Sequence, residues 1–257
     1  MVRVMLLLLA TCALTCLPLT SEAGEVFTGV TIDNKSQYFS YFGVRVPILQ
    51  ISEEPSLPAS TSPSYTRHPL PIMRSPQQSS LFVHTITAGL GYNVKSNGQL
   101  LDANAQFIVP ALGVAKTFDA WTFSALAGPQ LRRIEEQQLN ASNTIAYQAG
   151  VYAQLEAFYR HEKWNFLALG SYADLDNFFW SRLRGKVLAY QPEKTCCPTY
   201  VGWDVTGMGS ADFRGVMTGP LGEVQVGKIF FLVRGGYQNN TAFYGGVYGG
   251  FEIYSIF

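Results

Sequence analysis

Four side chains spaced two apart carry the most chemistry in this sequence: Trp180, Arg182, Arg184 and Lys186. That spacing puts them on one face of an extended strand, while Phe179, Leu183, Val187 and Ala189 take the other. An indole beside guanidinium groups can stack on a sugar ring and hydrogen-bond its hydroxyls, or it can line a pore. The plainer alternative is an electrostatic plug in which the acids Glu156, Asp204, Asp212 and Glu252 neutralise the row. Three histidines are present: His68 in a Pro/Ser-rich stretch, His161 in a predicted tight turn, and His84 on a predicted strand near Thr85 and Thr87. A Ser/His/acid triad is joined in space and not in sequence, so a hydrolase stays open, although no serine nucleophile motif stands in the chain. No spacing of His, Cys, Asp or Glu resembles a metal site. No Gly-rich phosphate loop precedes a helix, and the adjacent Cys196 and Cys197 build no disulfide framework. No catalytic residue, metal or cofactor is expected.

The cations limit where such a strand can lie. Charged residues are 14% of the chain, against about 25% in an ordinary soluble domain. Yet the chain beyond its first two dozen residues has no run of about 18 apolar residues, as a transmembrane helix needs. High apolarity without a helical span fits membrane strands, whose lipid-facing residues alternate with polar ones facing a lumen. Three cations in a row cannot face lipid, where each costs about 2–4 kcal/mol at the midplane. They are therefore assigned to the lumen, as are the four acids. The formal net charge is +0, with 18 basic and 18 acidic residues, and nothing points to nucleic acid as a partner.

Alternation with a period of two runs through most of the chain. Its clearest case is 146–159: Tyr147, Ala149, Val151, Ala153, Leu155, Ala157 and Tyr159 share one face, and Gln148, Gly150, Tyr152, Gln154 and Glu156 share the other. At about 3.3 Å per residue and a tilt near 40°, the two tyrosines stand about 30 Å apart along the membrane normal, the height of an apolar belt with an aromatic girdle at each rim. About twelve strands follow from this rhythm, near 25–33, 36–50, 81–93, 100–117, 121–133, 143–159, 163–174, 177–189, 199–207, 211–219, 225–239 and 242–257. Turns are predicted at Asp33-Asn34, Ser96-Asn97-Gly98, Gly219-Pro220-Leu221-Gly222 and Asn239-Asn240. Residues 51–80, with six prolines and eight serines, read as a flexible loop. Up-and-down counting puts that loop on the side of both chain ends, the periplasmic side. The paired glycines 235–236, 245–246 and 249–250 fall in strands, where glycine permits curvature or close approach.

The ends agree with a membrane barrel. Arg3, an apolar core from Val4 to Leu19, and Ser21 and Ala23 before Gly24 predict a cleaved export signal over 1–23, with a single barrel domain over 24–257. The stretch 242–257 is rich in glycine and aromatics and ends on Phe257.

Several of these segments together resemble the cellulose biosynthesis protein S family, BcsS, of alphaproteobacterial outer-membrane proteins. The likeness lies in Phe27-Thr28-Gly29-Val30 with Tyr41-Phe42-Gly43-Val44, and in Phe178-Phe179-Trp180-Ser181-Arg182-Leu183-Arg184. It continues in Asp212-Phe213-Arg214-Gly215, Gly235-Gly236-Tyr237-Gln238 and Tyr244-Gly245-Gly246-Val247-Tyr248-Gly249-Gly250-Phe251. The resemblance implies an outer-membrane, non-enzymatic accessory to bacterial cellulose or exopolysaccharide production or secretion. Its expected partners are outer-membrane lipid, cellulose or another polysaccharide, and the synthase or secretion proteins. Three rivals remain: a small porin-like or structural barrel, a lipid-modifying barrel enzyme using His84, and a secreted soluble β-protein with sequons at Asn34, Asn140 and Asn239.

Overall fold

The computed structural model describes residues 24–35, 37–53, 77–96, 99–137, 144–161, 163–191, 197–211, 213–241 and 245–256. Their strands are β1 (Glu25–Asp33), β2 (Tyr38–Glu53), β3 (Gln77–Ser96), β4 (Gln99–Phe118), β5 (Trp121–Gln137) and β6 (Thr144–Arg160). Then come β7 (Trp164–Ala173), β8 (Phe178–Tyr190), β9 (Thr199–Gly209), β10 (Arg214–Val226), β11 (Ile229–Asn240) and β12 (Gly246–Ile256). Each strand pairs antiparallel with its neighbours in sequence, and β1 pairs with β12 from Glu25↔Ile256 to Asp33↔Tyr248, closing the sheet. A closed sheet has no edge strand with a row of unpaired groups, which is the condition for crossing hydrocarbon with strands.

The alternation sets which side meets lipid. Tyr147 and Leu155 on β6 are 77% and 68% exposed and point outward, whereas Gln154 between them is buried in the lumen. Leu112, Val114, Phe179, Leu183, Val201, Val233 and Val247 continue the outward apolar belt around the barrel. At the rim that holds Glu25 and Ile256, outward aromatics interlock across strands. Trp121 meets Tyr159 at 4.9 Å between ring centroids, and Tyr159 stacks on Trp164 at 4.4 Å. Tyr147, Tyr172 and Phe179 stand near the opposite rim. This belt, girdle and closure make the chain a transmembrane β-barrel of the single-chain, even-stranded bacterial type.

On the lumen side of β1–β4, an aromatic lies directly across the ladder from a glycine three times, Phe27↔Gly43, Tyr41↔Gly29 and Phe82↔Gly113, and Tyr38↔Gly91 repeats the pairing on the outer face. In each pair the ring occupies the space that a Cβ would fill. The rings thereby cover the backbone of the neighbouring strand, a device that pins strand register.

The structure corrects several sequence boundaries. Gly219-Pro220-Leu221-Gly222 is not a turn but lies inside β10, and the chain reverses at Gly227-Lys228, where Gly227 has φ 63°. β11 runs on through Asn240, and β12 begins at Gly246 rather than at 242. Parts of 51–80 are strand: β2 continues to Glu53 past an irregularity between Pro47 and Leu49, and β3 starts at Gln77. β2 ends and β3 begins at the rim of Glu25 and Ile256, the side that strict counting requires. The export signal, the interior of the 51–80 loop and Cys196 lie outside the described residues, as do His68, Asn140 and Phe257.

Candidate functional site

The cations of β8 enter the lumen as the alternation demands. Arg182, Arg184 and Lys186 are all buried, while Phe179, Leu183 and Val187 on the opposite parity are half exposed on the outer face. The network they enter draws on β1, β9, β10, β11 and β12. Arg184 Nε donates to Asp204 Oδ2 of β9 at 2.8 Å, and its Nη2 donates to both oxygens of Glu252 on β12 at 3.0 and 2.9 Å. Arg182 Nη1 reaches Glu252 at 3.1 Å. From β11, Arg234 Nη1 donates to Asp204 Oδ1 at 3.1 Å and Nη2 to Thr31 Oγ1 of β1 at 2.8 Å. Three guanidiniums thus enclose two carboxylates, of which Asp204 is wholly buried and Glu252 is 5% exposed. Such a set is tolerated in low dielectric because each carboxylate lies within ion-pair distance of all three guanidiniums, although Arg182 Nε and Arg234 Nε have no hydrogen-bond partner among the described residues.

One turn of the ladder nearer the Glu25 rim, Lys186 Nζ donates to Glu223 at 2.6 and 2.7 Å, and Tyr254 donates its hydroxyl proton to the same carboxylate at 2.7 Å. Glu156 is not part of this row. It binds Arg45 of β2, with Nη2 to Oε2 at 3.2 Å, and Arg45 also lies 3.5 Å from Glu25. Two of these contacts join strands four apart, β2 to β6 and β8 to β12. In a circular twelve-strand barrel, strands four apart stand at least about 18 Å from each other. An extended arginine and glutamate meeting at hydrogen-bond distance span only about 15 Å. The lumen is therefore pinched by its own ion pairs and is not round.

Of the acids expected to face the row, Asp204 and Glu252 do so, Glu156 serves Arg45, and Asp212 lies outside the described residues. Arg234, Glu223, Arg45 and Tyr254 complete the networks and were not anticipated. Arg234 and Tyr254 carry the signal that flagged the β8 row, a polar group on the parity opposite outward apolar residues. Glu223 was hidden by placing a turn at 219–222. Trp180 lies beneath Arg182, with the guanidinium carbon 5.0 Å from its ring centroid, and both line the lumen.

The space that remains is a cavity of about 2120 Å³, lined by Gln50 and Ala120 towards the Glu25 rim and by Gln37 and Phe213 towards the other. Gln37 Nε2, Gln130 Oε1 and Asn165 Oδ1 on its wall are buried without a hydrogen-bond partner among the described residues. His84 is 1% exposed, stacked on Phe27 at 5.7 Å, and neither ring nitrogen has a hydrogen-bond partner among the described residues. His161 sits at the rim near Tyr159 and Trp164. Among the described residues no group of three His, Cys, Asp or Glu could hold a metal ion.

No family model matches the sequence, and no curated protein does. Solved structures similar to this chain include the β domain of the Bordetella autotransporter Brka, at 10% identity and TM-score 0.47, covering 91% of this chain and 98% of that one. The translocator domain of the autotransporter NalP from Neisseria meningitidis matches at 12% identity and TM-score 0.42, covering 100% and 96%. The transport unit of AIDA-I from Escherichia coli matches at 9% identity and TM-score 0.40, covering 95% and 94%.

Proposed function

We propose that this barrel sits in the bacterial outer membrane and serves cellulose or related exopolysaccharide export as a non-enzymatic accessory, its lumen holding a stretch of uncharged glycan. The observation that carries this reading is the wall of the rim-to-rim cavity. Trp180, Tyr41 and Tyr152 bring aromatic rings to it, and the side-chain amides of Gln37, Gln130 and Asn165 line the same space. Sugar rings stack on such aromatics and their hydroxyls meet such amides, as in other polar ligand sites. The charges beside them balance across the lumen, with three arginines facing Asp204 and Glu252, Lys186 facing Glu223, and Arg45 facing Glu25 and Glu156, so no strong field of one sign attracts an ionic polymer. The resemblance to the BcsS sequences supports the same reading. The burial of His84 behind Phe27 supports a non-enzymatic role, because a lipid carbonyl meets that ring only if Phe27 moves.

A small porin is the second reading, favoured because one cavity is lined from both rims. Planar-bilayer recording separates the two. Cello-oligosaccharides are expected to block the single-channel current, and Trp180→Ala to weaken that block severalfold. A steady conductance indifferent to the sugars, together with unchanged cellulose and exopolysaccharide output in a deletion strain, would sink the export reading. Arg45→Ala removes the contact that draws β2 towards β6, so it is expected to raise the conductance. An unchanged current in that variant would mean that the Arg45–Glu156 pair does not narrow the path.

A further inference from the structure

The lumen does not explain a groove on the outer wall. Outward side chains line a shallow trough of about 830 Å³. Its floor is Ala157 on β6 with Ala168 and Gly170 on β7, and its walls are Phe123, Leu155 and Leu183. The ladder puts Phe123, Ala157, Ala168 and Leu183 in one row across four strands, so two large side chains flank two small ones. The exterior of a barrel is ordinarily convex. Here Glu156 is one of the residues lining the trough, and its carboxylate is held from across the lumen by Arg45.

The same row continues onto β4 at Lys116, directly across from Phe123 and also part of the trough's edge. A cation on the lipid face is costly unless it reaches an anion near the interface. Lys116 is placed to do so. Its ammonium lies 4.9 Å from the ring of Phe118, one pleat nearer the Glu25 rim, where Trp121, Tyr159 and Trp164 mark the headgroup level.

We propose that this groove is a binding site for an acidic phospholipid of the leaflet at the Glu25–Ile256 rim. One acyl chain lies in the trough over Ala157, Ala168 and Gly170, and the phosphate meets Lys116. The inference rests on the membrane-barrel fold and is independent of any role in polysaccharide export.

Native mass spectrometry of the detergent-purified full chain, titrated with phosphatidylglycerol or phosphatidylcholine, tests it. The unaltered protein is expected to retain phosphatidylglycerol preferentially. Lys116→Gln is expected to reduce that preference about fivefold, the equivalent of one surface lysine near an anionic headgroup. Ala168→Trp, which fills the trough, is expected to abolish retention of both lipids. Ala168→Ser is the control for folding, since it keeps the trough open, and heat-modifiability gels on every variant report whether the barrel has assembled. Equal retention of both lipids by the unaltered protein would overturn the proposal. So would retention undiminished in an assembled Ala168→Trp barrel. A dimer that the same substitution dissociates would also overturn it, by showing that a second copy covers this face.

Discussion

Replacing Glu252 with alanine is expected to cost the barrel about 3–5 kcal/mol, the typical penalty for removing one partner of a buried ion pair. Glu252 accepts from Arg184 at 2.9 Å and from Arg182 at 3.1 Å, and Arg234 Nε stands 3.3 Å away. Its loss leaves three buried guanidiniums sharing Asp204 alone. The measurement is the denaturant midpoint of the protein refolded into lipid vesicles, followed by its shift on an unheated gel. A paired comparison tests the cause. Lys186→Met alone strands Glu223, which is 1% exposed, and is expected to destabilise strongly. Lys186→Met with Glu223→Leu replaces both charges by apolar side chains and is expected to recover most of the loss, as buried pairs elsewhere do. Equal losses in the single and double variants would show that shape, not charge, governs this part of the lumen.

Gly236→Val is expected to prevent assembly altogether. A Cβ at Gly236 on β11 would collide with the carbonyl oxygen of Thr218 and with Gly219 on β10, and one at Gly219 would collide with Gly235. Overpacking in a core costs about 1–3 kcal/mol where side chains can shift. Here the obstacle is backbone, so β10 and β11 would have to part beside Pro220, which already removes one ladder donor. The expected result is a polypeptide that shows no heat-dependent shift and is degraded in the cell. Gly249→Val is the matched control, because nothing stands within 4 Å of a Cβ there, and it is expected to assemble as the unaltered chain does. Normal assembly of Gly236→Val would mean that these two strands are less closely apposed than the geometry here requires.

Both predictions concern features that the sequence displayed without explaining. Glycines 235–236 were visible as a pair on a strand, with close approach as one of their uses, but only the register identifies Gly219 as the facing residue. That identification also removes the apparent turn at 219–222. Gly-Pro-Leu-Gly is strong turn chemistry in isolation. In the barrel Gly219 admits the backbone of β11, and the proline falls where the ladder to that strand is interrupted. Glu223 is lost to any reading that ends the strand there, and with it the partner of Lys186.

By itself the sequence determined a count of about twelve strands, which face of the clearest ones meets lipid, and the entry of the β8 cations into the lumen. Those properties are local: side chains alternate every residue along an extended chain, and the cost of a charge in hydrocarbon selects the face. The tertiary structure alone decided which charges meet. Arg184 and Glu252 are far apart in sequence and four strands apart in the sheet, and they touch only because β1 closes onto β12 and the wall departs from a circle. Glu156 shows the same limit from the other side. Its inward parity was legible, but Arg45 claims it, because a partner across a lumen depends on the barrel's cross-section and on the register irregularities at Pro47/Leu49 and Leu188/Tyr190. Neither the closed cross-section nor the ladder shifts can be inferred from residues adjacent in the chain.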